Sequence, residues 1–174
     1  MSRRTASLLG LLLAAACGRG SSAPPAPART AEELLAPWIT VKLGDGIEGL
    51  RAARPTLEPS GYVSGTRAEY IDGHDRAAAV LTVETDDGRV RAVGLEWRAA
   101  AGEAAERDLR ARLPAPRECS TLDQSVEDFK SLLWQLPDGA SAAAMRKGKI
   151  WRLTVSRPPA DGFAALYESC ARAP

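Results

Sequence analysis

From Ala78 to Trp97 the chain carries the feature that most restricts its fold, two period-two runs turned back on one another. Leu81 and Val83 alternate with Thr82 and Glu84, so the apolar side chains of an extended segment fall on one face. Asp86-Asp87-Gly88 then supplies the residues that a tight hairpin turn demands. On the return, Val90 and Ala92 hold one phase while Val93, Leu95 and Trp97 hold the other, which predicts a bulge near Ala92-Val93. A second passage repeats the logic. Leu132, Trp134 and Leu136 alternate up to Pro137-Asp138-Gly139, Ala140 to Met145 follows, and after Lys147-Gly148-Lys149 the residues Trp151, Leu153 and Val155 alternate with Arg152, Thr154 and Ser156.

Helical signals surround these strands. Thr30-Ala31-Glu32-Glu33 fits a capping box for a short helix that stops before Pro37. Trp38 to Leu43 alternates as a strand would, and Asp45 with Glu48 opens a helix that Pro55 closes. Ala99 to Leu113 places Ala105, Leu109, Arg112 and Leu113 on one helical face, with Pro114 beyond. Residues 121–130 read as a helical turn, and Gly162 to Ala171 as a closing helix with Phe163, Leu166 and Tyr167 inward. The expected architecture is α+β, an antiparallel sheet with helices packed on one face, in two helix-plus-meander halves. No residue-by-residue match supports an internal duplication.

Charge narrows the function classes. In 174 residues, 23 Lys and Arg face 22 Asp and Glu, so the formal net charge is +1 and no broad basic field for nucleic acid exists. Three cysteines and one histidine exclude a four-ligand zinc site except one that uses all four. No cofactor motif survives inspection. Gly44, Gly46 and Gly49 match the glycine spacing of dinucleotide sites, but Pro55 cuts the helix short and the following strands read as antiparallel.

The N-terminus reads as an export signal: Arg3 and Arg4, then an apolar run from Leu8 to Ala16, then Cys17. That run is far shorter than the about 20 residues needed to cross a bilayer. Ser2-Arg3-Arg4 is similar to a twin-arginine signal, although Ala6 and Ser7 stand where that motif has bulky apolar residues. Leu13-Ala14-Ala15-Ala16-Cys17 resembles the lipobox of bacterial lipoproteins, with Ala14 where Leu is commoner. The resemblance implies that Cys17 is acylated as the first residue of the mature chain; ordinary cleavage after Ala16 is the alternative. Losing residues 1–16 removes Arg3 and Arg4 and no acid, so the net charge falls from +1 to −1 and acyl chains must do the anchoring. Residues 17–31 are rich in Pro, Ser and Ala and read as a tether reaching on the order of 40 Å. Residues 32–174 form the expected single folded domain.

Leu43-Gly44-Asp45-Gly46-Ile47-Glu48-Gly49-Leu50, which opens a short helix closed by a proline, resembles the helix start of small envelope lipoproteins of the BamE (SmpA) type. Helix–hairpin repeats of that sort also occur in the β-lactamase-inhibitor-protein fold. The likeness covers about a dozen residues and implies a fold, not a functional residue.

Candidate chemistry is sparse. His74, the only imidazole, sits in Asp72-Gly73-His74-Asp75, where two carboxylates beside a histidine suit metal binding or general-base work, and equally an ordinary exposed turn. No catalytic or metal-binding residue is assigned. Trp97, Trp134 and Trp151 occupy the apolar phase of their strands and read as core. Arg89, Arg91, Lys149 and Arg152 read as solvent-facing sheet positions. With Cys17 acylated, Cys119 and Cys170 remain, and export delivers them to an oxidising compartment, so a disulfide between them is expected; two separate buried thiols are the alternative.

These residues lead to one functional expectation. The chain is an exported, lipid-anchored module of a bacterial envelope, held to the outer membrane facing the periplasm, and it works by contact with an envelope protein rather than by catalysis. The alternatives are an envelope hydrolase using Asp72 and His74, and an inhibitor that presents the loop from Pro59 to Thr66.

Overall fold

A computed structural model of the chain describes residues 27–73, 80–98, 100–119 and 129–172. Nine strands run through it: β1 Glu58–Ser64, β2 Arg67–Asp72, β3 Val80–Asp86, β4 Arg89–Arg98, β5 Arg117–Cys119, β6 Phe129–Gln135, β7 Ser141–Lys147, β8 Ile150–Ser156 and β9 Ala171–Arg172. They form one antiparallel sheet in the order β1-β2-β3-β4-β8-β7-β6-β5-β9. Four helices accompany it: α1 Ala31–Leu35, α2 Ile47–Ala53, α3 Ala100–Arg112 and α4 Phe163–Ser169.

The expected α+β arrangement of helices on one face of two helix-plus-meander halves is therefore corrected. Strands make up 43% of the described residues and helices 25%, so the sheet dominates. The two meanders are not separate, because β4 and β8 pair continuously from Ala92↔Ser156 to Arg98↔Ile150. The helices are not confined to one face either. Leu34, Leu35, Ile47 and Leu109 join Leu81, Val83, Leu95, Trp97, Leu132, Trp134, Leu153 and Val155 in the main core on one side of the sheet. Phe163 and Tyr167 of α4 instead pack with Leu133, Ala143 and Cys119, whose side chains alternate to the opposite side.

The hairpin read from Ala78 to Trp97 is present as β3 and β4. Asp87 (φ 50°) and Gly88 (φ 69°) both take the left-handed backbone that a two-residue hairpin turn matching the strand twist requires. The register steps from Glu84↔Ala92 to Thr85↔Val90, which makes Arg91 the extra residue of a bulge and explains the change of apolar phase. Other expectations fail locally. Trp38 to Leu43 is not a strand; Ile39 N donates back to Leu35 O at 3.0 Å and Asp45 N to Lys42 O at 3.1 Å, so turns consume its backbone groups. The N-cap of α2 is Gly46 rather than Asp45, with no side-chain bond. Phe129 and Lys130 belong to β6, and the rest of the helical turn expected there lies outside the described residues. In α4, Leu166 faces solvent while Phe163 is buried.

Packing against the main core is close. A Cβ on Gly102 would stand 2.5 Å from the Trp151 ring, so only glycine lets α3 settle on β8 there. Arg112 at the end of α3 is buried; its guanidinium donates to the carbonyls of Glu33 and Leu34 (3.2 Å to Leu34), bonds Asp108 at 3.2 Å and lies 5.9 Å over the Trp38 ring. Those carbonyls belong to the last turn of α1, where no intrahelical donor remains for them. At the other end of α1, Thr30 Oγ1 accepts from Glu33 N at 3.1 Å, while Glu33 reaches back to Arg29 N at 2.7 Å. Ala28 is itself buried, and its N–H donates to Arg112 O at 2.9 Å, so the chain joins the folded body before Glu32.

A four-membered charge network ties α3 to β5 and β6. Arg110 bonds Glu118 at 2.6 Å and Glu106 at 3.0 Å, and Lys130 approaches Glu118 at 3.6 Å and Glu106 at 3.8 Å. Burial pushes the Glu118 carboxyl up, but the Arg110 hydrogen bond and the Lys130 and Arg110 charges outweigh it and hold the group below its ordinary 4.5. Burial likewise pushes Arg110 down, and its bonds to Glu118 and Glu106 leave it raised. A carboxyl held below its unfolded value contributes stability that is present above that value and lost as pH falls through the folded one. Glu118→Gln should therefore lower the urea midpoint at neutral pH, with the gap to the native chain closing as pH drops below 4.5. A gap that stays constant through the acid limb would show that the carboxylate charge contributes nothing.

Candidate functional site

Among the described residues, the face of the sheet opposite the main core is covered over one half only. One register row crosses it from edge to edge: Glu58, Ile71, Thr82, Gly94, Thr154, Ala143, Leu133, Arg117 and Arg172. On the β7–β6–β5 half, α4 sits over this row. Phe163 packs on Leu133 and stacks on Tyr167 with ring centroids 5.6 Å apart, and Arg117 lies 5.2 Å over the Tyr167 ring. Arg117 Nη1 also donates to Cys170 O at 3.0 Å. Cys119 and Cys170 are joined as a disulfide with their Cα atoms 5.0 Å apart, which fastens the end of α4 to β5.

On the β2–β3–β4–β8 half, no described element covers the row, and a groove of about 330 Å³ runs over it. Its floor is made of small groups. A Cβ on Gly94 would fall 2.2 Å from Thr82 Oγ1, so Gly94 leaves room for the Thr82 side chain to lie across β4. Beside the floor stand Ile71 and Val80, with Ile71 38% exposed. Toward one end Glu69 and Glu84 face each other across β2 and β3. Toward the other, Arg152 bonds Glu96 at 2.8 Å. Like charges directly opposite on a sheet repel, and among the described residues neither Glu69 nor Glu84 has an ion-pair partner. The groove thus joins an apolar wall to two unneutralised carboxylates.

The residues singled out from the sequence fall elsewhere or together as follows. Asp72, expected in an exposed turn with His74, is only 3% exposed; it accepts from Thr56 Oγ1 at 2.7 Å and pairs with Arg54 at 3.6 Å on the core side of β2. That placement takes it away from the groove and from any open surface. His74, Asp75 and Cys17 lie outside the described residues. Trp97, Trp134 and Trp151 are core residues, with Trp134 Nε1 donating to Pro114 O at 2.9 Å, while Trp38 meets Trp97 edge-on at 5.2 Å. Gly44 and Gly46 are held by β4, Gly44 through Val90 O and Gly46 through a bridge to Arg89.

The stretch from Pro59 to Thr66, read as a loop, is most of the edge strand β1 and its turn into β2. Between Pro59↔Tyr70 and Val63↔Ala68 the strand carries surplus residues opposite Glu69, with Gly61 at φ 86°. Tyr62 and Val63 project there, 59% and 71% exposed. The groove itself was missed because its residues come from four strands, one of which, β2, was not recognised. The signal available is the Thr82, Glu84, Gly94, Glu96, Arg152 and Thr154 phase of the strands, of which the sequence reading takes only Arg152 as solvent-facing.

Among the described residues no group of three or more His, Cys, Asp or Glu is placed to hold a metal ion, and no helix is long and apolar enough to cross a membrane. Fold and groove together define a sheet-dominated protein with one half-open face. Compared with known protein families, characterised proteins and solved structures, the chain matches none.

Proposed function

We propose that the chain is an exported, lipid-anchored contact module of a bacterial envelope, attached to the outer membrane on its periplasmic side through acylated Cys17, and that it meets an envelope protein through the uncovered half of its sheet. The observation that carries the contact role is the groove over Thr82 and Gly94, with exposed Ile71 beside unpaired Glu69 and Glu84. The anchoring rests on Leu13-Ala14-Ala15-Ala16-Cys17 and on the run from Leu8 to Ala16. The Cys119–Cys170 bond agrees with residence in an oxidising compartment. A second reading, an inhibitor that presents residues 59–66, draws on the exposure of Tyr62 and Val63.

One experiment in the producing cell addresses these parts. Cys17→Ser should abolish labelling by a fatty-acid probe and release the protein from membranes; retention of the variant in high salt would refute the anchor. In the wild-type background, a photo-crosslinking residue placed at Glu84 should give a discrete adduct, and one at exposed Glu103 on α3 should not. An adduct from a probe at Tyr62 alone would favour the inhibitor, and no adduct from Glu84 would end the contact reading.

A further inference from the structure

We infer that the uncovered half of the sheet face takes a basic amphipathic helix of a partner protein, with an apolar anchor on Ile71 and Lys or Arg side chains over Glu69 and Glu84. The inference rests on the reading of this face as a contact surface and names the chemistry of what meets it.

The covered half supplies the pattern. Outward from the β4·β8 junction, the register row passes Gly94, Thr82, Ile71 and Glu58 on one side and Thr154, Ala143, Leu133 and Arg117 on the other. Ile71 therefore occupies the place on its half that Leu133 occupies on the other. Leu133 is 2% exposed because Phe163 of a helix rests on it, whereas Ile71 is 38% exposed. Among the described residues a helix covers one of two matching sites.

Backbone chemistry favours a helix over a strand. The strands beneath the groove already spend their N–H and C=O groups on their ladder neighbours, since β2, β3, β4 and β8 each have a strand on both sides. A segment lying across such a face finds no main-chain partner there, so it must satisfy its own backbone, which a helix does internally. Helices laid in apolar grooves bind through anchors spaced at i, i+3 and i+4. At Gly94 the short Thr82 side chain fills the place a Cβ would take, so the floor under such anchors stays low.

Charge selects the sign of the partner. Arg152 already engages Glu96, which leaves Glu69 and Glu84 facing each other. A cation set between them relieves their repulsion and is attracted by both, whereas an acidic helix adds to the repulsion. The mature chain also carries no net positive charge to oppose a basic partner if residues 1–16 are removed.

Fluorescence anisotropy with the full chain in detergent tests this with three labelled peptides: a stapled helix bearing Lys on one stripe and Phe and Leu on the next, the same composition interrupted by prolines, and the helix with Glu for every Lys. The stapled basic helix should bind most tightly, and added salt should weaken it. Glu69→Lys with Glu84→Lys should weaken it about tenfold, and Ile71→Asp by a similar factor. Ile71 and Glu84 are exposed and Glu69 is half-buried, so the variants should stay folded, and thermal unfolding of each checks this beside the binding. Equal binding of the proline-interrupted peptide would overturn the helix while leaving the contact face standing. Equal binding of the acidic helix, or binding indifferent to these substitutions, would overturn the inference outright. Competition by a second copy of the chain, seen as concentration-dependent dimers that Ile71→Asp abolishes, would assign the face to self-association instead. If no peptide binds while the Glu84 crosslink still forms, the partner's chemistry is wrong and its place is right.

Discussion

Replacing Cys119 and Cys170 together by Ser lowers the stability of the folded body by about 2–5 kcal/mol, and most of the local loss appears at α4 and β9. The bond closes a loop of 51 residues, for which the chain-entropy account gives about 4 kcal/mol. Little else holds that end. Phe163 is the only buried side chain of α4 itself, β9 contributes two residues, and Arg117 adds its contacts with Tyr167 and Cys170 O. In β9, Arg172 stands opposite Arg117, a like-charge pair that favours release. Hydrogen exchange in the double variant should quicken at 163–172 while the amides of β3, β4 and β8 stay protected. Uniform loss of protection would show that the strap and the sheet open as one unit. Two alkylatable thiols at these positions in the unreduced native chain would remove the premise.

Arg112→Met costs about 3–5 kcal/mol, the range for taking one partner from a buried charged network. Methionine keeps much of the aliphatic bulk but leaves the Glu33 and Leu34 carbonyls without their donors and Asp108 without its cation. Each orphaned buried acceptor costs about 1–3 kcal/mol. Arg112→Lys restores the charge without the fork that serves two carbonyls at once, so it should recover less than half of the loss. Chemical unfolding of the three forms measures this directly, and Trp38, 5.9 Å below the guanidinium, should report the change in its fluorescence. A methionine variant as stable as the native chain would mean that α1 finds other donors for its last turn.

Strand positions were legible where burial is one-sided and turn chemistry is strong. Asp87-Gly88 and the phase change at Arg91 both left marks that the sequence displays, and so did the apolar phases of β6 and β8. β1 left none, because all seven of its residues are exposed and no alternation records a buried side. Without β1, β2 reads as part of a loop, Asp72 looks like a turn residue, and the groove loses a wall. Trp38 to Leu43 failed in the opposite sense. Ile39 and Leu43 are buried, so the pattern is genuine, but the turn after α1 takes the hydrogen bonds that a ladder needs. The side of the sheet on which α4 lies could not be read from α4, whose apolar residues fit either face; it follows from the Cys119–Cys170 bond, since Cys119 points away from the main core.

An open sheet has two ends, and each is a surface on which another chain can add a strand and then another. This protein closes both avenues by different means. β9 ends one side with two residues, too few to template a strand. β1 is long enough, but Pro59 lacks a donor and the surplus residues around Gly61 bend the ladder. Growth into fibres is the chief hazard of such a fold. The irregular edge works as a chain terminator, and it allows a broad flat protein to be crowded without polymerising.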